Sequence, residues 1–252
     1  MNNDADFYVG YLPDVPATLR RFVRRIIVLL AAIVIVLALV LVMAQMPFAN
    51  SFFEFGKLRD FEGTITAQPY PSLHVQRPGQ ADPQQSTSEY LLVAPGKHGA
   101  DELVRDLAGK HVKLRGQLIY RDGQTMLEVE PGSTSKTAMS AAEPQEVRDI
   151  GPLTVTGEIV DSKCYLGVMN PGNGKVHRDC ASRCLSGGIP PLFVRFDTGD
   201  RYLLIDQEGR ALAYDVIREF IAEPIIASGE LLQRGGTQLL RIGPRELRHT
   251  AK

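Results

Sequence analysis

The sequence predicts a mainly β protein with short helices, in which one transmembrane helix precedes two tandem small β-barrels. Three observations lead to this expectation. An uncharged apolar run lies near the N-terminus, short apolar or alternating segments separated by turn residues follow it, and part of that strand pattern occurs twice. The chain of 252 residues is long enough for two such small domains.

The apolar run spans residues 26–46 and contains no charged side chain. A run of about 20 apolar residues is long enough to cross the hydrocarbon core as a helix. Four arginines directly precede it: Arg20, Arg21, Arg24 and Arg25. By the positive-inside rule, residues 1–25 are then cytoplasmic. We expect a single-pass protein of the bacterial inner membrane with periplasmic C-terminal domains. A cleaved signal peptide is the alternative.

Residues 57–132 predict the first barrel. Apolar patterns indicate strands over 61–68 and 89–96, and a hairpin over 111–132 that turns at Arg121-Asp122-Gly123. Between them, residues 100–108 have one apolar face and predict a short helix. The following segment, 133–151, is rich in small and polar residues without periodicity and predicts a linker.

Residues 152–247 predict the second barrel. Strands are expected over 153–161 and in a hairpin over 191–206. An amphipathic pattern over 210–222 predicts a helix, and a final hairpin over 225–244 turns at a pair of glycines.

The two barrels share an internal repeat. Residues 104–131 align without a gap onto 217–244, which places Arg121 on Arg234. Upstream, Leu73 can be laid on Leu166, and the additional residues of the second copy then fall at about 174–191. Duplication of one unit explains this pattern. The cysteines have no counterpart in the first copy.

The order of elements in each unit, strands, then a helix, then two strands, resembles the OB-fold, a small five-stranded barrel. An SH3-like barrel or another small β-barrel is the competing fold. A fold of this kind implies no particular function. The net charge of -1 gives no electrostatic reason to expect a nucleic acid partner.

Residues 161–191 form a loop that contains every cysteine of the chain and one histidine. If 177–185 is helical, His177, Cys180 and Cys184 lie at i, i+3 and i+7 on one face, and Cys164 can close over them. Three cysteines and a histidine are a complete tetrahedral ligand set for zinc, and soft ligands also suit copper(I). We therefore predict a zinc or copper site with four ligands: Cys164, His177, Cys180 and Cys184.

Two other interpretations of the loop stay open. Two cysteines could form a structural disulfide and leave one spare thiol. Alternatively, His177 and Arg178 could lower the pKa of a redox-active thiol. Met169 is a further soft ligand candidate, whereas Lys163 is expected to be solvated and His74 to lie on the surface.

The pattern C-Y, P-G, H-R-x-C-A, C and G-G-I-P across residues 155–191 resembles a segment of uncharacterised membrane-anchored bacterial proteins. The resemblance implies a periplasmic Cys/His-bearing segment and no established activity. We expect an accessory protein or subunit of a respiratory or redox membrane complex, with other membrane-protein subunits as partners. No small-molecule substrate and no catalytic residue is identified. The alternatives are a periplasmic thiol-disulfide oxidoreductase and a non-enzymatic binding module with a structural disulfide.

Overall fold

The computed structural model describes residues 15–45, 51–77, 87–139 and 145–250. The chain forms two compact units, Met1–Ala49 and Asn50–Lys252. The first unit contains helix α1, Ala17–Gln45. Its segment Ala17–Ala44 is long and apolar enough to cross a membrane, a test that an N-terminal signal sequence also passes. The expected N-terminal apolar helix is confirmed, and it begins well before residue 26.

The second unit is mainly β, and its first half is a closed barrel of five strands. These strands are β2 Arg59–Thr66, β3 Ser72–Gln76, β4 Thr87–Val93, β5 His111–Arg121 and β6 Gln124–Val129. The short helix α2, Asp101–Val104, lies between β4 and β5. Strands β1, Ser51–Phe53, and β7, Ser135–Lys136, lie outside the barrel and pair with β5.

Closure of the first barrel follows a simple path. Antiparallel pairs join β5 to β2, β2 to β3 and β3 to β4. A parallel pair joins β4 to β6, and the antiparallel β5–β6 hairpin completes the ring. Period-two alternation explains β5, because Val112 and Leu114 are buried whereas Lys113 and Arg115 are exposed.

The second barrel repeats this path with five further strands. They are β8 Val147–Asp161, β9 Pro191–Arg195, β10 Arg201–Ile205, β11 Ile225–Arg234 and β12 Thr237–Arg241. Again the third and fifth strands, β10 and β12, pair in parallel. Helix α3, Arg178–Ser186, lies between β8 and β9, and α4, Tyr214–Ile217, between β10 and β11. Strand β13, Leu247–His249, extends the sheet beside β11. The expected pair of small barrels is confirmed.

Both helices that follow a third strand are shorter than the sequence predicts. The helix expected over 100–108 is α2, and the one expected over 210–222 is α4. At the start of the second segment, Asp206 Oδ1 accepts a hydrogen bond of 2.7 Å from the backbone N of Arg210. This contact commits the chain there to a turn, because such an aspartate competes with helix formation.

Strand β8 begins at Val147, inside the segment 133–151 for which a linker was predicted. The side chains from Val147 to Ile150 are all exposed. Because nothing on either face of this stretch is buried, the sequence carries no alternation that would mark a strand.

In the gapless part of the repeat, each strand of the first barrel is aligned with the corresponding strand of the second. Strands β5 and β11 end at the aligned residues Arg121 and Arg234. The upstream alignment of Leu73 with Leu166 is wrong, since Leu73 lies in the second strand of its barrel and Leu166 lies in a loop. The insertion of the second copy is therefore the whole loop 162–190 between β8 and β9.

Each barrel has its own hydrophobic core, and a third cluster of buried side chains lies between the two barrels. Buried side chains from both barrels form this third cluster, which includes Leu91, Val93, Ile119 and Met126 from the first and Val160, Leu192, Leu203 and Leu239 from the second. Tyr70, on the loop between β2 and β3, reaches into the second barrel. Its hydroxyl donates to Leu204 O at 2.7 Å and accepts from Leu212 N at 2.9 Å. A buried ion pair joins Arg234 to Glu89 across the same interface.

Candidate metal centre

Asp161 fixes the start of the loop between β8 and β9. This residue ends β8 and is fully buried. Its Oδ1 accepts a hydrogen bond of 2.8 Å from the backbone N of Cys164. A helical turn, Cys164–Val168, follows directly. Asp161 therefore fixes the backbone at the first cysteine.

The chain then folds back over this turn. A Cβ at Gly172 would lie 2.5 Å from Cys164 O, so only glycine fits there without a shift. The carboxylate of Glu158 on β8 accepts hydrogen bonds from Asn173 Nδ2 at 3.0 Å and from Gly174 N at 2.9 Å. These contacts bring the following residues, the 3₁₀ turn Lys175–His177 and α3, back towards Cys164.

The three cysteine sulfurs meet in one place. The Sγ atoms of Cys164, Cys180 and Cys184 all lie within 4.8 Å of one another. All three are free thiols; Cys164 and Cys184 are buried and Cys180 is half-buried. Cys180 and Cys184 are four residues apart on α3, a spacing that places both on one helix face. We call these three residues the cysteine trio.

His177 belongs to a second group that shares Cys164. Ligand atoms of Asp161, Cys164 and His177 also lie within 4.8 Å of one another. His177 Nε2 lies 2.9 Å from Asp161 Oδ2, and both side chains are buried. Because a carboxylate only accepts, the imidazole N–H donates this hydrogen bond. The structure thus divides the four predicted residues between two overlapping groups, and the role of His177 as a metal ligand stays a prediction.

The thiols differ in acidity. A hydrogen bond from Cys164, with smaller contributions from Lys97 and Cys180, lowers the pKa of Cys184 to about 7. The same hydrogen bond, together with burial and the charge of Asp161, raises the pKa of Cys164. Above about pH 7, Cys184 is therefore the thiolate, and the S–H group of Cys164 donates a hydrogen bond to it.

Lys97 brings a positive charge to the trio from the other barrel. Its Nζ lies 2.8 Å from Cys180 Sγ and 3.7 Å from Cys184 Sγ. The hydrogen bond to Cys180 raises the pKa of Lys97. This lysine lies on the loop between β4 and α2. Sequence reasoning missed both Lys97 and Asp161, because neither contact follows from spacing along the chain.

Lys163 is buried, and the expectation of a solvated side chain is wrong. Its Nζ forms an ion pair of 2.5 Å with Glu128 and donates to Ala94 O at 2.8 Å and Gly96 O at 2.7 Å. All three partners belong to the first barrel. Lys163 therefore fixes the loop that presents Lys97 to the trio.

Other residues noted in the sequence lie outside the trio. Met169 is exposed, and Arg178 pairs with Glu223 at 2.9 Å. His74 is buried, against the expectation of a surface position, and burial lowers its pKa. Strand alternation places its neighbour Leu73 in the core of the first barrel, so His74 lies on the opposite face of β3, towards the second barrel.

The trio fits a thiophilic metal by the chemistry of its donors. Cysteine thiolates are ligands that both zinc and copper(I) accept, and the three sulfurs already lie close together. A scan against protein-family models and a search of curated proteins found no match for this chain.

Proposed function

We propose that this is a membrane-anchored protein that binds one thiophilic metal ion, zinc or copper(I), at the cysteine trio. One observation carries the proposal: three free thiols lie within 4.8 Å of one another. Two sulfurs bound to the same zinc ion are at most about 4.6 Å apart, twice the Zn–S bond length. The trio therefore needs only small side-chain movements to bind a metal.

Charge also supports metal binding. Cys184 ionises near neutral pH, so at least one ligand is deprotonated before a metal arrives. The ammonium group of Lys97 offsets part of the negative charge of three thiolates. His177 is the proposed fourth ligand, because it shares a group with Cys164. The hydrogen bond from Nε2 to Asp161 orients the ring and leaves Nδ1 as the nitrogen available to a metal.

We propose that both barrels are OB-type. The supporting features are the strand order, the parallel pairing of the third and fifth strands and the helical turn between the third and fourth. In OB barrels, the loop between the first and second strands is a ligand-binding loop. The trio lies in this loop of the second barrel.

We further propose that the barrels face the periplasm of a bacterium, with α1 as a single anchor in the inner membrane and the N-terminus in the cytoplasm. The arginines at the start of α1 support this orientation. The protein would then serve other membrane-protein subunits of a respiratory or redox complex as a metal-handling accessory. Protease added to spheroplasts tests the orientation: we expect it to remove the barrels, and full protection would contradict it.

A second candidate function is thiol-disulfide exchange. The low pKa of Cys184 and its hydrogen bond to Cys164 favour it, because a thiolate beside a second thiol can form a disulfide on oxidation. This alternative predicts reversible disulfide formation between Cys164 and Cys184 without any bound metal.

Metal titration separates the two candidates. The full-length protein, purified in detergent without oxygen, is titrated with zinc or copper(I) in competition with a chelator. We expect one equivalent to bind, and each Cys→Ser variant of the trio to bind at least about tenfold more weakly because a direct ligand is lost. Ser186→Ala on the same helix is the matched control. Absence of metal binding in the wild type, with rapid formation of a Cys164–Cys184 disulfide, would favour the second candidate.

A further inference from the structure

The contact between Lys97 and Cys180 is unusually short. Their Nζ and Sγ atoms are 2.8 Å apart. An ordinary N–H···O hydrogen bond is about 2.9–3.0 Å long, and sulfur is a larger acceptor than oxygen. The distance is therefore short for a hydrogen bond to sulfur. Two single bonds that meet at a bent oxygen atom would span nearly the same separation.

Tight backbone packing holds the two residues in place. Gly99 N donates to Gly187 O at 2.9 Å, and a Cβ at Gly187 would lie 1.9 Å from Lys97 O. Lys163 also fixes this loop through Gly96 O. The two atoms therefore face each other because of the packing between barrels, and their reaction requires no rearrangement of the backbone.

Neither of the other two thiols is well placed to form a disulfide with Cys180. Residues four apart on a helix have Cβ atoms about 5–6 Å apart, whereas a disulfide requires about 3.5–4.5 Å. A Cys180–Cys184 disulfide would thus distort α3. Cys164 and Cys184 are already hydrogen-bonded to each other. Cys180 is half-buried and Lys97 is exposed, so a small oxidant can reach their contact.

We propose that dioxygen converts the Lys97–Cys180 contact into a covalent crosslink, in which one oxygen atom bridges Nζ and Sγ. The amine and the thiol each lose one hydrogen and two electrons. Dioxygen accepts the four electrons; one of its atoms enters the N–O–S bridge, and the other leaves as water with the two hydrogens. The adjacent ammonium and thiolate contain the same protons as the amine and thiol, so no further proton is required.

The crosslink joins the β4–α2 loop of the first barrel to α3 of the second. It also removes one sulfur from the trio. If the trio binds metal as proposed above, oxidation weakens metal binding at least as much as Cys180→Ser does and reduction restores it, so the bridge is an oxygen-responsive switch of that site. The bridge itself does not depend on metal binding.

Peptide mapping of the full-length protein tests the proposal. The protein is purified in reductant without oxygen and divided, and one half is exposed to dioxygen after the reductant is removed. Both halves are then alkylated, digested with trypsin and examined by mass spectrometry. In the oxidised half we expect a joined peptide that contains Lys97 and Cys180 and is not cleaved at Lys97. Its mass should equal the sum of the two separate peptides plus one oxygen atom and minus two hydrogen atoms. Thiol reductant should separate the two peptides.

Variants complete the test. Lys97→Arg and Cys180→Ser should abolish the joined peptide, whereas Lys110→Arg, an exposed lysine further along the same connection, should retain it. Oxidised wild type in which Lys97 is cleaved normally, and Cys180 is a free thiol or is bonded to another cysteine, would overturn the proposal. A protein that forms the bridge yet binds no metal when reduced would contradict the proposed function and leave the crosslink intact.

Discussion

Cys184 ionises more readily than Cys164, because Cys164 donates a hydrogen bond to its sulfur and Lys97 lies nearby. An ordinary cysteine has a pKa of about 8.5, whereas the pKa of Cys184 is about 7. Since the folded-state pKa is lowered, the thiolate is present above about pH 7 and is lost as the pH falls through that value.

Ultraviolet absorbance of the thiolate measures this ionisation in the metal-free protein. We expect a step of one thiolate near pH 7 in the wild type, and its loss in Cys184→Ser. Cys164→Ala should shift the step upwards, because it removes the hydrogen bond to Cys184. A titration in which no thiol ionises below about pH 8.5, the ordinary value, would contradict this account of the trio.

The loop between β4 and α2 and the turn after α3 form a close backbone contact on which the position of Lys97 depends. In Gly187→Ala, the new methyl group would overlap Lys97 O, at 1.9 Å. We expect the loop to move away from the trio and the free energy of unfolding to fall by about 1–3 kcal/mol, as in other overpacked sites.

Gly236→Ala provides the control for this change, since nothing lies within 4 Å of a Cβ there. Chemical denaturation followed by near-ultraviolet circular dichroism measures both variants. Equal stability of Gly187→Ala and wild type, with an unchanged Lys97–Cys180 contact, would show that the two elements are not held together as described.

The sequence predicts best those elements that are determined by residues close together along the chain. The alternation in β5 and the glycine turn before β12 follow from side-chain burial and backbone freedom within a few residues, and both were predicted. The predictions for α2 and α4 were too long, because turns replace the ends of both predicted helices. Similarly, the sequence predicted that the cysteines converge, but it gave no sign of Lys97, whose contact is made between barrels.

Equivalent arginines of the two barrels each donate a hydrogen bond to the opposite barrel. Arg121 donates to Tyr165 O in the second barrel at 2.9 Å, and its repeat counterpart Arg234 donates to Gln68 O in the first at 3.1 Å. Reciprocal contacts of this kind are characteristic of two-fold interfaces. They accord with duplication of one unit, and they explain why a loop of one barrel can complete the site of the other.

Tyr70→Phe tests how strongly the barrels depend on each other. The change removes the hydroxyl that bonds Leu204 O and Leu212 N and leaves a buried backbone donor without its partner. We expect the free energy of unfolding to fall by about 1–3 kcal/mol. Tyr120→Phe, which keeps its ring stacked on Phe52, is the control. A Tyr70→Phe protein as stable as wild type would contradict a shared barrel interface.

X-ray absorption spectroscopy of the metal-loaded full-length protein tests the central claim most directly. For zinc, we expect a first shell dominated by three sulfur atoms at about 2.3 Å, with one sulfur fewer in Cys164→Ser. A shell made only of nitrogen and oxygen, unchanged in that variant, would contradict metal binding by the cysteine trio.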